Sequence, residues 1–233
     1  MKKRQIIAMG GGGFSSMPDD RRLDRYVLES TGLPRPKICF IPTASGDALT
    51  YIERFYNTFG ALACAPTHLS LFDPPRADLR SFIFEHDAVY VGGGNTKNML
   101  ALWREWSLDR FLREAYDSGI VLSGLSAGSI CWFDSGVTDS VPGPLTPLQC
   151  LGFLSGSNCP HYDAEPERRP AFHRLVSERA LPAGIATDDG VALHFVDGVL
   201  QTIVSATPTG AAYRVEPSSN GAVETPLAVQ RLP

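Results

Sequence analysis

The chain has no apolar run approaching the ~18 residues that a membrane-spanning helix needs, so no membrane partner is expected. It has no CxxC pair, and its five cysteines (Cys39, Cys64, Cys131, Cys150, Cys159) form an odd set without metal-type spacing. A reduced, cytoplasmic protein is the simplest expectation. It has no excess of positive charge either: the formal net charge is -4. A mildly acidic chain has no field for gathering phosphates, which argues against nucleic acid as a partner. Internal repeats, low-complexity segments and linkers are missing as well. Met1 to Arg4 is basic like the start of a signal peptide, but the apolar stretch Ile6 to Met9 behind it stops at Gly10, too short for a signal core.

What is present is ordinary: 233 residues, 43% hydrophobic and 20% charged, enough for one domain over 1–233 with a full core. Short apolar runs alternate with helix-like stretches. Gln5–Met9, Lys37–Ile41, Thr67–Phe72, Ala88–Val91 and Ile120–Leu122 are predicted strands. Asp19–Ser30 and Asp47–Phe59 are predicted helices, and a further helix follows the capping residue Asn95. This alternation predicts a mostly parallel sheet covered by helices on both faces, with ligands beyond the carboxyl ends of the strands. Val191–Phe195 and Val199–Val204 flank Asp197-Gly198, a hairpin signal that adds antiparallel strands near the C-terminus. Ser135–Pro147 reads as a loop, and the polar tail from Pro217 as loose.

The sharpest feature is Gly124-Leu125-Ser126-Ala127-Gly128, after an apolar strand and before the short apolar segment Ile130 to Phe133, read as a helix. This is the strand–turn–helix setting of a nucleophile elbow. A serine at such a tip exposes its hydroxyl, the flanking glycines let the backbone crowd close, and the helix N-terminus offers free N–H groups to a developing oxyanion. One oxyanion donor would be the N–H of Ala127; the other could come from Gly92-Gly93-Gly94 at the end of the neighbouring strand. Gly10 to Gly13 lacks the third glycine of a dinucleotide fingerprint, with Ser15 in its place, and lacks the lysine of a phosphate loop, so it reads as a turn near the site.

A serine needs a base at neutral pH. Of the five histidines, His68, His86, His173 and His194 fall within or beside predicted elements and read as structural. His161, in Asn158-Cys159-Pro160-His161-Tyr162-Asp163, lies in a segment without periodicity, from which a ring can reach a strand end. No second histidine pair supports a metal site there, and no metal or organic cofactor is expected. A carboxylate should hold the imidazole in one tautomer. Asp189, in Ala186-Thr187-Asp188-Asp189-Gly190, and Asp139, after the elbow helix, are both candidates, and spacing does not separate Asp189 from Asp188.

Val91-Gly92-Gly93-Gly94-Asn95-Thr96, the serine elbow and Pro160-His161 together resemble the peptidase E family of serine hydrolases, which includes α-aspartyl dipeptidase and, more distantly, cyanophycinase. The resemblance spans about residues 5–216 and implies a three-layer α/β fold like the class I glutamine amidotransferase domain. It implies Ser126 as nucleophile, His161 as base, and Gly94 and Ala127 as oxyanion donors. Asp189 matches a position that is often glutamate in the family, a side chain longer by one methylene. Asp139 matches a supporting aspartate, and Arg169 is the nearest match to an arginine that recognises a substrate aspartate. The expected activity is that of a serine dipeptidase acting through an acyl-enzyme on small peptides, with an N-terminal aspartate as the candidate preference. The alternatives are a non-catalytic binding relative, motivated by the shorter carboxylate, and a cyanophycinase-like hydrolase of aspartyl polymers. A homodimer is compatible with the sequence.

Overall fold

Residues that alternate between two buried faces dominate four of the first five strands of the computed structural model, which describes residues 3–73 and 78–233. The first five strands are β1 (Gln5–Met9), β2 (Lys37–Ile41), β3 (Ala65–His68), β4 (Ala88–Val91) and β5 (Val121–Leu125). They pair in parallel in the order β1-β5-β4-β2-β3. Ile7, Met9, Ile38, Phe40 and Tyr90 point to one face; Ile6, Ala8, Cys39, Ile41, Val89 and Val91 point to the other. Side chains of successive strand residues must leave opposite faces, so a strand buried on both sides is apolar throughout rather than alternating with polar residues.

Helices cover both faces. On the first lie α1 (Gly13–Ser16), α2 (Arg22–Glu29) and α3 (Leu49–Phe59), through Phe14, Leu23, Val27, Phe55 and Phe59. On the second lie α4 (Leu79–Phe84), α5 (Thr96–Glu105), α6 (Leu108–Asp117) and α7 (Ala127–Ile130), through Phe82, Met99, Trp103 and Leu112. The Asn95 side chain caps α5 by accepting from the Asn98 N–H at 2.9 Å.

The remaining strands are β6 (Phe133–Thr138), β7 (Thr146–Gln149), β8 (Leu154–Cys159), β9 (Gly184–Thr187), β10 (Val191–Val196), β11 (Val199–Ser205), β12 (Ala212–Ser218), β13 (Gly221–Pro226) and β14 (Gln230–Arg231). β10 and β11 form the expected hairpin; Asp197 and Gly198 both have positive φ, 51° and 81°, as a two-residue turn of this kind requires. β10 runs antiparallel to β1, and β10, β11 and β14 together extend the first sheet to eight strands.

The others make a second, six-stranded sheet in the order β13-β12-β9-β8-β6-β7, which the sequence reading missed. Its strands carry small and polar residues with no clean alternation, such as Leu154-Ser155-Gly156-Ser157-Asn158-Cys159. Two expectations are thereby corrected. Ser135–Pro147 contributes to two paired strands rather than forming a loop, and the tail after Pro217 is ordered into β13 and β14. The helix at the elbow covers Ala127–Ile130, earlier than the expected Ile130 to Phe133, because the chain already enters β6 at Phe133. The final helix, α8 (Arg168–Ser177), packs Phe172, Leu175 and Val176 against Val137, Cys159 and Val215 of this sheet. Residues Met1 and Lys2 of the basic N-terminus lie outside the described residues.

No helix among the described residues is long and apolar enough to cross a membrane. Cys39, Cys64, Cys131 and Cys159 are buried and free, and burial pushes the Cys39 and Cys159 thiols up to about 12, which makes them poor nucleophiles.

Candidate active site

The two sheets meet at their carboxyl ends. Ser126 follows β5, Gly92-Gly93-Gly94 follows β4, and the Gly10 to Gly13 turn follows β1. In the second sheet, His161 comes two residues after β8 and Asp189 two residues after β9, and those strands are parallel neighbours with Cys159 opposite Ala186. Two parallel strands that end side by side deliver their following residues to the same place.

Ser126 has φ 54° and ψ -114°, a conformation costly for a residue with a Cβ. The surroundings impose it. The Ser126 N–H donates to the Met9 carbonyl at 3.2 Å, and the Ser126 carbonyl accepts from the N–H groups of Ser129 and Ile130, which starts α7. The elbow glycines are steric requirements: a Cβ on Gly128 would stand 2.2 Å from the Val91 carbonyl oxygen, and one on Gly124 would stand 2.4 Å from that of Gly128. One buried tie joins the elbow helix to the second sheet. Ser129 Oγ donates to Asn158 Oδ1 at 2.9 Å, and Asn158 Nδ2 donates to the Ile185 carbonyl at 2.9 Å.

A count of backbone donors shows which N–H groups are free to meet a ligand. In the turn after β4, Gly92 donates to the Ile41 carbonyl, Gly93 to the Tyr51 hydroxyl and Asn95 to the Ala44 carbonyl. Gly94 N–H is left without a partner among the described residues, as is Ala127 N–H at the start of α7. A Cβ on Gly93 would lie 3.3 Å from Ser126 Cβ, so this turn borders the serine. Gly94 has φ 135°, and a Cβ there would collide with the Ala44 carbonyl.

His161 Nδ1 lies 2.6 Å from Asp189 Oδ1, with the two side chains 18% and 29% exposed. A carboxylate only accepts, so the proton on this contact belongs to Nδ1, which in the neutral form of the ring leaves the lone pair on Nε2. The shorter aspartate is accommodated by the turn that carries it. Gly11 bridges to Asp189, Gly190 N–H donates to the Gly11 carbonyl at 3.1 Å, and the Asp189 N–H donates to Asp163 Oδ1 at 2.8 Å. The bare backbone of Gly11 makes room for the pair: a Cβ there would stand 2.1 Å from Asp189 Oδ1 and 2.7 Å from His161 Cε1.

Asp188, which spacing could not separate from Asp189, turns the other way. It accepts the Ala211 N–H through Oδ2 at 2.9 Å and is only 7% exposed; burial pushes its carboxyl up to about 6. Asp139 does not join the histidine. It sits 3.9 Å from the Arg168 guanidinium, with its side chain 66% exposed. Arg169 is already occupied: its guanidinium pairs with Glu224 and stacks over the Tyr162 and Tyr213 rings. Glu224 also accepts from the Tyr162 hydroxyl and meets His173 Nε2 at 2.9 Å. Burial pushes Glu224 upward, but these three partners outweigh it and hold the carboxyl below its ordinary value.

The other histidines bind structural partners: His68 the Tyr56 hydroxyl, His86 Thr67 and the Phe82 carbonyl, His194 Tyr26 and Gln5. Among the described residues, no group of three or more His, Cys, Asp or Glu is arranged to hold a metal ion. Sequence reasoning missed Tyr51 and the Ser129–Asn158 tie; Tyr51 precedes the Ile52, Phe55 and Phe59 stripe of α3 and carries no signal of its own.

The profile of peptidase family S51 matches residues 6–203, most of the chain. The chain belongs to peptidase family S51. This family S51 peptidase is 56% identical over 229 residues to the uncharacterized peptidase YgaJ of Bacillus subtilis (strain 168), covering 98% of this chain and 99% of that one. Among solved structures it resembles a peptidase from an acI-B1 Actinobacterium, with TM-score 0.69 and 16% identity over 97% of this chain and 95% of that one. A Listeria monocytogenes EGD-e protein assigned provisionally to peptidase E superposes with TM-score 0.62 at 16% identity, over 97% and 100% of the two chains. At that identity these structures speak for the fold alone, the α/β architecture described above.

Proposed function

We propose that this peptidase is a serine hydrolase of short peptides, with Ser126 as nucleophile, His161 as general base and Asp189 as the carboxylate that orients the imidazole. The observation that carries the reading is the 2.6 Å His161–Asp189 contact, held against Gly11 at the end of the strand whose Met9 carbonyl anchors Ser126.

His161 Nε2 takes the proton of Ser126 as Oγ adds to the scissile carbonyl. The oxyanion forms between the N–H groups of Gly94 and Ala127, and the imidazolium is stabilised by Asp189. Collapse of the tetrahedral intermediate breaks the C–N bond, and His161 gives its proton to the leaving amine. Water, deprotonated by the same ring, then hydrolyses the ester on Ser126 and releases the free acid. The close Asp189 contact favours this reading over a non-catalytic relative with a broken triad. Glu224 already neutralises Arg169, so the reading does not include selection of an N-terminal aspartate through that guanidinium.

The test is turnover of a dipeptide panel by Ser126→Ala and His161→Ala, with fluorophosphonate labelling of the wild-type chain. Loss of turnover in both variants and a label on Ser126 are expected. Undiminished turnover in Ser126→Ala would falsify the assignment.

A further inference from the structure

The free N–H of Gly94 belongs to a peptide unit between two glycines, Gly93 and Gly94, the most easily rotated link a chain can contain. Nothing in that link fixes which way the N–H points. The peptide units on either side are fixed from outside. On one side the Asn95 N–H donates to the Ala44 carbonyl at 2.7 Å. On the other the Gly93 N–H donates to the Tyr51 hydroxyl at 3.2 Å.

That hydroxyl is itself held. It donates to Ser15 Oγ at 3.0 Å, and the Ser15 carbonyl accepts from Arg54 Nη1 at 2.6 Å. The ring stacks on Phe14 at 5.3 Å and meets Phe40 edge-on at 5.1 Å. A Cβ on Gly92 would stand 2.8 Å from Tyr51 Cε1, so the ring lies flush against the turn. Burial pushes the phenol upward, so it stays a neutral O–H, able to accept from Gly93 while it donates to Ser15.

We infer that Tyr51 is a positioning residue for the oxyanion site: by accepting the Gly93 N–H, its hydroxyl holds the Gly93–Gly94 peptide with the Gly94 N–H turned toward Ser126. This rests on the serine-hydrolase reading above. Without the hydroxyl, the Gly93 N–H turns to find another acceptor and takes the next peptide with it. The ring needs no change to test this, because phenylalanine fills the same space.

Tyr51→Phe should lower kcat by about 10- to 100-fold, less than the ~10²- to 10³-fold of deleting an oxyanion donor outright because the N–H is displaced rather than lost, while KM moves little. A peptide aldehyde that adds to Ser126 Oγ puts its oxygen where the oxyanion forms. Its affinity should fall by the same factor as kcat/KM, while binding of the peptide product stays within about threefold. Unchanged kcat and unchanged aldehyde affinity would overturn the inference. So would parallel losses in aldehyde and product binding, which would mark Tyr51 as merely structural. If Tyr51→Phe does not fold, 4-aminophenylalanine at position 51 carries the test, since its NH2 still donates to Ser15 Oγ but is a poor acceptor for the Gly93 N–H; an unchanged ratio of aldehyde to product affinity then overturns the inference. Ser126→Ala, run alongside, keeps the two readings apart: activity in that variant removes the serine mechanism itself, whatever Tyr51→Phe does.

Discussion

The serine half and the histidine half of the site are held in place by different forces. On the first sheet, position is set by steric exclusion and backbone hydrogen bonds. Gly124, Gly128 and Gly94 each sit where a Cβ would strike a carbonyl oxygen, and Ser126 is forced into a strained conformation between them. On the second sheet, where His161 also takes a positive φ of 54°, the side chains are positioned mainly by carboxylates. Asp189 holds His161, Asp163 holds the Asp189 backbone, and Glu224 gathers Tyr162, the residue after the histidine, with Arg169 and His173. A strained elbow tolerates almost no substitution, whereas a charge network is graded: each carboxylate can be replaced by its amide without changing shape. The contrast shows that neighbouring carboxylates of equal chemistry should have very unequal effects.

The largest difference is expected within the Asp188-Asp189 pair. Asp189→Asn should keep the fold but leave Nδ1 free to take the wrong tautomer, costing about 10³- to 10⁴-fold in kcat. Asp188→Asn should leave kcat within a few-fold, since Asp188 accepts a backbone N–H and does not face the ring. Steady-state kinetics of the two single variants checks this, and equal losses would break the division between the two halves.

A second difference concerns pH. Asp24, on α2 beneath the turn that follows β1, is fully buried, and among the described residues neither carboxyl oxygen has a hydrogen-bond partner of good geometry. The nearby Phe14 N–H and Tyr90 hydroxyl only partly offset the cost of burial, which pushes the carboxyl from 3.8 up to about 7. A carboxyl whose folded value is raised stabilises the fold at low pH, and that contribution is lost as the pH rises through about 7. Glu224 is shifted the opposite way, so its contribution is lost only at acid pH, below its ordinary value of 4.5. Between pH 5 and 8, stability should therefore fall with rising pH by about a few kcal/mol, mainly from Asp24, with Asp188 adding in the same direction. Asp24→Asn should flatten this slope in a series of thermal melts. A slope left intact would mean that the carboxyl is relieved by water or by movement of α2.

These forces also explain what could be read from the sequence. The elbow and its glycines were legible because the geometry is local: strand, tight turn and helix lie within Val121–Ile130, and sterics permit few residues there. The first sheet was legible because strands buried on both faces must be continuously apolar, as Ala88–Val91 is. The second sheet was not. Strands such as Thr146–Gln149 carry little hydrophobic signal, and they become strands through pairing with partners distant in the chain. The histidine and aspartate ride on that sheet, so their partnership could be proposed only by resemblance. The roles of Asp188, Asp189 and Asp139 needed coordinates, because an aspartate in a turn looks the same whichever way it points. Tyr51 was hidden for the converse reason: an aromatic on an amphipathic helix signals core, and its hydroxyl adds no periodicity.

The smallest expected effect is at Asp139, where the resemblance and the geometry part. As a supporting residue of the triad, Asp139 would have to be ordered near the imidazole, and its loss would be felt in kcat. It is instead mostly exposed, at 3.9 Å from Arg168, a guanidinium already bonded to Glu165 at 2.6 Å and to the Val137 carbonyl at 3.0 Å. Arg168 is only 2% exposed and needs those two partners; a third, solvated one at the edge of contact adds little. Asp139→Ala should accordingly change stability by no more than about 0.5 kcal/mol and leave kcat and KM within twofold. A loss of tenfold or more in kcat, with the thermal midpoint unchanged, would show that Asp139 acts on the imidazole once substrate is bound, and the histidine half would then depend on two carboxylates rather than one.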